Sequence, residues 1–396
     1  MLNKCEMAPA DPILGLTEAY HADTRVDKIN LGVGIYQTET NQTPVMAAVK
    51  QTEAYLVENQ LTKRYLSIEG WAAYNQQVTQ LLWGEQHAAI AEERLLTAQA
   101  PGGTGALRVA GEFLYHKVGA RRLWLSQPTW ANHRAIFEAV GFEMQEYTYY
   151  NNTQHQLDFD GMLRDLQQAK AGDVVLLHAC CHNPTGADPS HEQWQQLAQL
   201  CQAKQLLPLF DAAYLGFAEG LDQDAYAIRY FADQVPEMMV ANSFSKNFSL
   251  YNERVGSVSL LAQDTTVARQ AFSQLKKVIR ALYSNPPAHG AMVVAHILQE
   301  KDLSLLWQTE LLTMRERIAD MRALLVKGLN SVQTQHDYSF IGRQRGMFSF
   351  SGLSPQQVEQ LQTQAGIYMV GSGRISIAGI NTSNIHKLTQ SIQSVL

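Results

Sequence analysis

From about residue 95 to 260 the chain alternates short apolar runs with amphipathic stretches, the pattern of a sheet whose strands are joined by crossover helices. The apolar runs predict strands at Leu123–Ser126, Val174–His178, Leu207–Asp211, Met238–Ser243 and Ser257–Leu261. Several are apolar almost throughout, as strands covered on both faces should be. Helical periodicity falls between them at Gly105–Lys117, Ala131–Val140 and His191–Lys204. An α/β sandwich is expected here. Residues 262–332 read as mostly helical, with Asp302–Asn330 long enough to run beyond one domain. The C-terminal part changes character again. Short strands at Met347–Phe350, Ile367–Val370 and Arg374–Ile377 mix with helices at Pro355–Gln364 and Thr382–Val395, an α+β pattern that predicts a second, smaller domain.

Length supports that division, because 396 residues exceed what a single core usually serves. With 46% hydrophobic and 17% charged residues and no biased tract, disordered and fibrous classes are excluded. The net charge of −6 is spread along the chain, and no Lys/Arg-rich stretch is interleaved with aromatics. That argues against a nucleic-acid surface and favours small-molecule chemistry. The opening MLNKCEMAPADPILGL has no apolar run of signal-peptide length, and no later window approaches a membrane span. A soluble, cytoplasmic protein is expected. Cys5, Cys180, Cys181 and Cys201 have neither disulfide-framework nor zinc-site spacing and are read as reduced.

Four motifs carry candidate chemistry. In Ser243-Phe-Ser-Lys246-Asn-Phe-Ser-Leu-Tyr-Asn-Glu-Arg254-Val-Gly256 a lysine closely follows a buried strand. A buried ammonium is costly, and the usual escapes are a lowered pKa or covalent use of the free amine. Ser243, Ser245 and Arg254 supply what a phosphate monoester needs, the arginine as a bidentate fork. Taken alone, this segment also reads as a solvated turn. Pro101-Gly102-Gly103-Thr104-Gly-Ala106 opens a helix whose free N–H groups suit an anion, without the spacing of a dinucleotide or Walker loop. Leu207-Pro-Leu-Phe-Asp211-Ala-Ala-Tyr214 ends a strand on an acid, where open α/β sheets bind ligands; the alternative is a helix cap. His178-Ala-Cys-Cys-His182-Asn183-Pro-Thr-Gly186 follows another apolar strand and turns Asn183 toward the same crevice. Its histidines lack a matched third metal ligand and are read as structural, so no metal is expected. A lysine, an acid, an anion cradle and an arginine at strand ends are not explained together by any purely structural reading.

This constellation closely resembles the fold-type I, pyridoxal-phosphate-dependent aminotransferases, specifically their aspartate and aromatic subgroup. The lysine segment matches the family's cofactor-attachment signature, and the likeness runs from Ala10-Asp-Pro-Ile-Leu-Gly15 to Gly371-Ser-Gly-Arg374. The resemblance implies a large domain with a mostly parallel sheet between helices plus a smaller α+β domain. It further implies an N-terminal arm at 1–12, a small domain at 13–44 and 314–396, and a large cofactor-binding domain at 45–313. Lys246 would bind pyridoxal 5′-phosphate covalently and then serve as general base. Asp211 would keep the pyridine nitrogen protonated, backed by His133, while Tyr214 and Asn183 would bond the ring oxygen and Trp130 would stack on the ring. Gly102, Gly103, Thr104, Ser243, Ser245 and Arg254 would hold the phosphate, with Tyr65 reaching across from a second subunit. Arg374 would clamp the substrate α-carboxylate near Gly34, and Arg280 would read a distal carboxylate across a homodimer.

The same resemblance implies ping-pong transfer of an amino group from L-aspartate to 2-oxoglutarate. Ser284-Asn285-Pro-Pro-Ala-His-Gly290 and Tyr251-Asn252-Glu-Arg254 look like the aspartate branch, whereas Asn242 and Ser249 resemble the aromatic-preferring one. An aromatic aminotransferase is therefore the alternative, and a catalytically silent cofactor-binding relative is the second.

Overall fold

The computed structural model describes residues 1–7, 14–331 and 337–396. Residues 8–12 of the expected N-terminal arm, and the Ala10–Ile13 part of the Ala10–Gly15 stretch, lie outside the described residues. The chain divides into two compact units, one of residues 44–183 and 187–316, the other of 1–43, 184–186 and 317–396. The division falls inside the long helix Lys301–Asn330.

The larger unit is built on a seven-stranded sheet in the order Leu95–Pro101, Val255–Leu261, Met238–Ser243, Leu207–Ala212, Val174–His178, Arg122–Gln127, Glu143–Thr148. Val255–Leu261 runs antiparallel to both its neighbours, and the other pairings are parallel. Leu176, Leu209, Ala241 and Val258 are wholly buried among Leu107, Val109, Ala110, Phe137, Leu275 and Ile279 from the covering helices. A continuous apolar strand is stable only when helices cover it on both faces. Two strands escape the apolar-run reading. Glu143–Thr148 is a sheet edge with polar, exposed positions, and Leu95–Pro101 buries Thr97 and Gln99 among small residues.

The helix expected at Gly105–Lys117 begins at Gly102 and passes at Leu114 into a wider turn ending at Val118. Glycine's low helix propensity argues for the later start, but that first turn is fixed by its neighbours in the fold, described below. The helix expected at Ala131–Val140 ends at Glu138, and that at Thr382–Val395 spans Ile385–Ser394.

In the smaller unit Ile29–Asn30 pairs in parallel with Ile367–Tyr368, and Phe348–Phe350 pairs antiparallel with Arg374–Ser376. The helix Pro355–Gln360 opens on a reciprocal Ser354/Gln357 capping box, then widens over Leu361–Ala365. Among the described residues, no helix is long and apolar enough to cross a membrane.

Candidate active site

Sheet register sets the site. His178 lies opposite Asp211, Asp211 opposite Ala241, and Ala212 opposite Asn242, so three parallel strands end along one edge. The antiparallel strand begins at that edge, with Val255 opposite Pro101 and Gly256 opposite Ser243. Carboxyl ends of parallel strands are where the following loops open a crevice.

Lys246 sits in the turn after Met238–Ser243. Phe244 and Phe248 on either side are wholly buried; Phe248 stacks on Trp307 at 4.3 Å, and the Trp307 indole N–H donates to the Asn247 carbonyl at 2.7 Å. With its neighbours anchored, Lys246 has little freedom, and its ammonium lies 4.6 Å from the centre of the Tyr214 ring. Burial lowers its pKa from 10.5 to about 8; Asp211 opposes that drop and Arg254 adds to it. The site therefore offers a partly deprotonated primary amine near neutral pH.

Asp211 is buried 2.9 Å from His133 Nε2, and His133 Nδ1 is 2.9 Å from the Thr129 hydroxyl. A carboxylate can only accept, so Nε2–H donates to Asp211, while Nδ1 shares a hydrogen bond with the Thr129 hydroxyl. Burial alone would raise the Asp211 pKa, but the His133 hydrogen bond, helped by the nearby Lys246 ammonium, outweighs it and holds the group low. The outcome is an ionised carboxylate inside the sheet edge, able to stabilise a cation.

His178 packs 5.1 Å from His133 and 4.3 Å from His182. Burial, followed by the nearby His133, pushes its pKa down to about 3, so its imidazole is neutral. His182 stacks on Tyr149 at 3.7 Å, and its Nε2 lies 2.9 Å from the Ser126 hydroxyl. Ligand atoms of His133, His178 and Asp211 all lie within 4.8 Å of one another, yet the acid is already engaged by His133, and neutral imidazoles behind it suit an acid support.

An anion cradle completes this edge. Gly102 adopts φ +72° at the start of the helix Gly102–Phe113, and a Cβ there would fall 2.3 Å from Arg254 Nη2. A Cβ on Gly103 would fall 3.1 Å from that of Ser243. Only glycines let the helix N-terminus approach this closely. Arg254, itself at φ +54°, reaches the Ser245 hydroxyl at 3.3 Å and the Tyr251 carbonyl at 2.9 Å. The N-terminus of this helix, two serine hydroxyls and a guanidinium thus lie together, a donor set suited to a phosphate dianion. Amine, ionised acid and dianion cradle on one edge fit an aldehyde-bearing, protonatable ring with a phosphate arm.

Asn183 and Tyr214 are buried, and Trp130 is half-buried with its ring 5.2 Å from His133. Tyr65 is 93% exposed, and Arg280 is exposed with its guanidinium on the Ser284 hydroxyl. In the smaller unit Arg374 is buried, donates to the Gly32 carbonyl at 2.6 Å and lies 4.2 Å over the Phe348 ring. A Cβ on Gly34 would fall 2.7 Å from Phe348 Cζ.

Sequence reasoning passed over three supports. Asp188 accepts from the Cys181 and His182 amides at 2.7 and 2.8 Å, shaping the turn before Asn183. Asp224 accepts from the amides of Gly216, Ala218, Glu219 and Gly220, tying down the loop after Tyr214. Thr129 orients His133, and its four-residue spacing on the His133 side of a helix start was the one available signal.

The family model "Aminotransferase class I and II" matches residues 26–392. Over 396 residues the chain is 52% identical to an aspartate aminotransferase of Escherichia coli strain K12, covering 100% of both. It is 45% identical over 392 residues to an aromatic-amino-acid aminotransferase of Pseudomonas aeruginosa, covering 99% of this chain and 98% of that one. Among solved structures it superposes with TM-score 0.98 and 46% identity on an aromatic-amino-acid aminotransferase from Burkholderia pseudomallei covalently bound to pyridoxal phosphate, covering 100% of this chain and 99% of that one.

Proposed function

Because the chain belongs to the class I and II aminotransferases, we propose that it is a pyridoxal-phosphate-dependent aspartate aminotransferase. It moves the amino group of L-aspartate to 2-oxoglutarate, giving oxaloacetate and L-glutamate in two half-reactions. One observation carries the reading: the Lys246 amine, the Asp211–His133 pair and the anion cradle share one sheet edge.

When bound, pyridoxal phosphate supplies an electron-withdrawing ring that accepts the electron pair released at the substrate α-carbon. Lys246 takes the proton from that carbon and returns it on the far side of the reaction; its pKa near 8 leaves a useful fraction of free amine at neutral pH. Asp211, held ionised by His133, keeps the ring nitrogen protonated. Asn183 and Tyr214 bond the ring oxygen, and Trp130 covers a ring face. Gly102, Gly103, Thr104, Ser243, Ser245 and Arg254 hold the phosphate. Arg374 takes the substrate α-carboxylate beside Gly34, a planar carboxylate matching the guanidinium fork. We assign Tyr65 and Arg280, both exposed here, to the site of a second protomer, Arg280 reading the distal carboxylate. The working form is a homodimer in the cytoplasm.

Coupled assays of purified, cofactor-loaded protein over a panel of amino-acid donors test the proposal. Aspartate should give the highest kcat/KM, Lys246→Ala should lose turnover, and Arg280→Ala should raise the KM for aspartate far more than for phenylalanine. The aromatic reading is favoured by Asn242 and Ser249. Equal or better kcat/KM with phenylalanine or tyrosine would establish it instead.

A further inference from the structure

The arginine assigned above to the substrate carboxylate is carried by a small sheet with two differently used faces. In the pairing of Phe348–Phe350 with Arg374–Ser376, Phe348 lies opposite Ser376, Ser349 opposite Ile375 and Phe350 opposite Arg374. Side chains alternate between faces along each strand. Phe348 and Arg374 therefore share one face as diagonal neighbours, within reach for an aromatic ring and a long side chain. The guanidinium carbon lies 4.2 Å from the Phe348 ring centre, and Arg374 Nη2 donates to the Gly32 carbonyl at 2.6 Å. Both residues are buried, at 3% and 5% exposure, so the cation–π contact acts in a desolvated setting where it is strongest.

Ser349 points to the opposite face, where Arg322 from the long helix meets it. The Arg322 guanidinium donates to the Ser349 hydroxyl and the Gly346 carbonyl, and at 3.4 Å each to the carbonyls of Ile341 and Phe348. A buried arginine thus grips the backbone on both sides of Phe348. At the far end of the ring, the space that a Gly34 Cβ would need is taken by Phe348 Cζ, so the ring is bounded by glycine on one side and by Arg374 on another.

We propose that Phe348 is a positioning residue that sets the guanidinium plane of Arg374 for the substrate α-carboxylate, with Arg322 fixing the strand that carries it. The inference rests on the carboxylate role of Arg374. Because that contact is made in ground and transition states alike, misorienting it raises KM and leaves kcat nearly unchanged.

The test uses cofactor-loaded protein, the KM for aspartate and the Kd for succinate, a non-reacting dicarboxylate. Phe348→Leu keeps an apolar side chain and removes the ring; a desolvated cation–π contact predicts a rise of about 5- to 30-fold in both constants. Arg322→Met should produce the same signature more weakly, by loosening the strand. In an Arg374→Ala background, Phe348→Leu should add nothing, because its effect passes through Arg374. Unchanged constants in Phe348→Leu at intact fold by circular dichroism overturn the proposal. So does a KM rise that persists in the Arg374→Ala background, which would mark a general packing defect. If Arg374→Ala alone leaves KM and the succinate Kd unchanged, the carboxylate reading of Arg374 fails, and this inference with it. Should Phe348→Leu not fold, Arg322→Met alone and combined with Arg374→Ala answers the same question.

Discussion

Lys246 makes the cofactor-free protein less stable than it need be, and that cost can be measured. The ammonium has an ordinary pKa of 10.5 and falls to about 8 in the fold, chiefly through burial. A shift of that size corresponds to about 3 kcal/mol of net disfavour for the charged form. Below pH 8 both folded and unfolded chains carry the proton, so the folded state bears the full penalty. Between 8 and 10.5 the folded lysine is neutral while the unfolded one still binds a proton, so stability rises with pH across this window. Above 10.5 both are neutral and the penalty is gone. Lys246→Met keeps the length and removes the charge; because the net shift already includes the attraction to Asp211, the gain at pH 7 is about 3 kcal/mol. For a chain of 396 residues the unfolding entropy converts this to a Tm about 3–4 °C higher than the parent's at pH 7. Thermal unfolding of both cofactor-free proteins, followed by circular dichroism from pH 7 to 10.5, checks it. The variant's advantage should shrink to nothing at the alkaline end. An equal Tm at pH 7, or an advantage that does not change with pH, would refute the reasoning that burial lowers the Lys246 pKa.

Other outcomes follow from the same geometry. Gly102→Ala forces a side chain into φ +72° and against Arg254, so cofactor affinity should drop at least about tenfold; titration of the apoprotein with pyridoxal phosphate measures it, and unchanged affinity would count against the cradle. His178 has its pKa lowered to about 3 and His182 also lies well below its ordinary value, both first through burial. Stability from these neutral rings is full above about pH 6.5 and is lost as pH falls toward 3, because only the unfolded chain takes up the protons; His178→Asn should flatten the acid limb of a Tm–pH curve. Cys180 and Cys201 are buried with raised thiol pKa values, whereas Cys5 is exposed. A thiol reagent should therefore modify Cys5 alone in the native protein at pH 8 and all four after denaturation, and rapid native modification of a second cysteine would contradict that burial.

What could be read from the sequence was whatever depends on local pattern. The strands ending at His178, Asp211 and Ser243 are apolar runs because helices cover both their faces, and their last residues fall together once the sheet is parallel. Lys246 was legible as an anomaly, a cation following a buried strand, and only its company made it a site. The strand Glu143–Thr148 was not legible: as the outer edge it keeps charged residues against water, which erases the apolar signal and also guards an exposed edge from further pairing. The true start of the helix at Gly102 was hidden for a related reason. Glycines weaken a helix locally, and here they are needed because Arg254 and Ser243, more than 130 residues away in sequence, come within the space of a Cβ. Phe348 gave no signal at all, since its meaning arises from a diagonal across two strands and a hydrogen-bonded arginine on the opposite face. The residues that bear charge or form bonds to ligands therefore stand out by chemical type, whereas the residues that aim them are ordinary in type and are distinguished only by register. A sequence reading of such a site finds its reactive groups first and its positioning groups last, and the Phe348 and Arg322 variants measure how much of the substrate affinity belongs to the second kind.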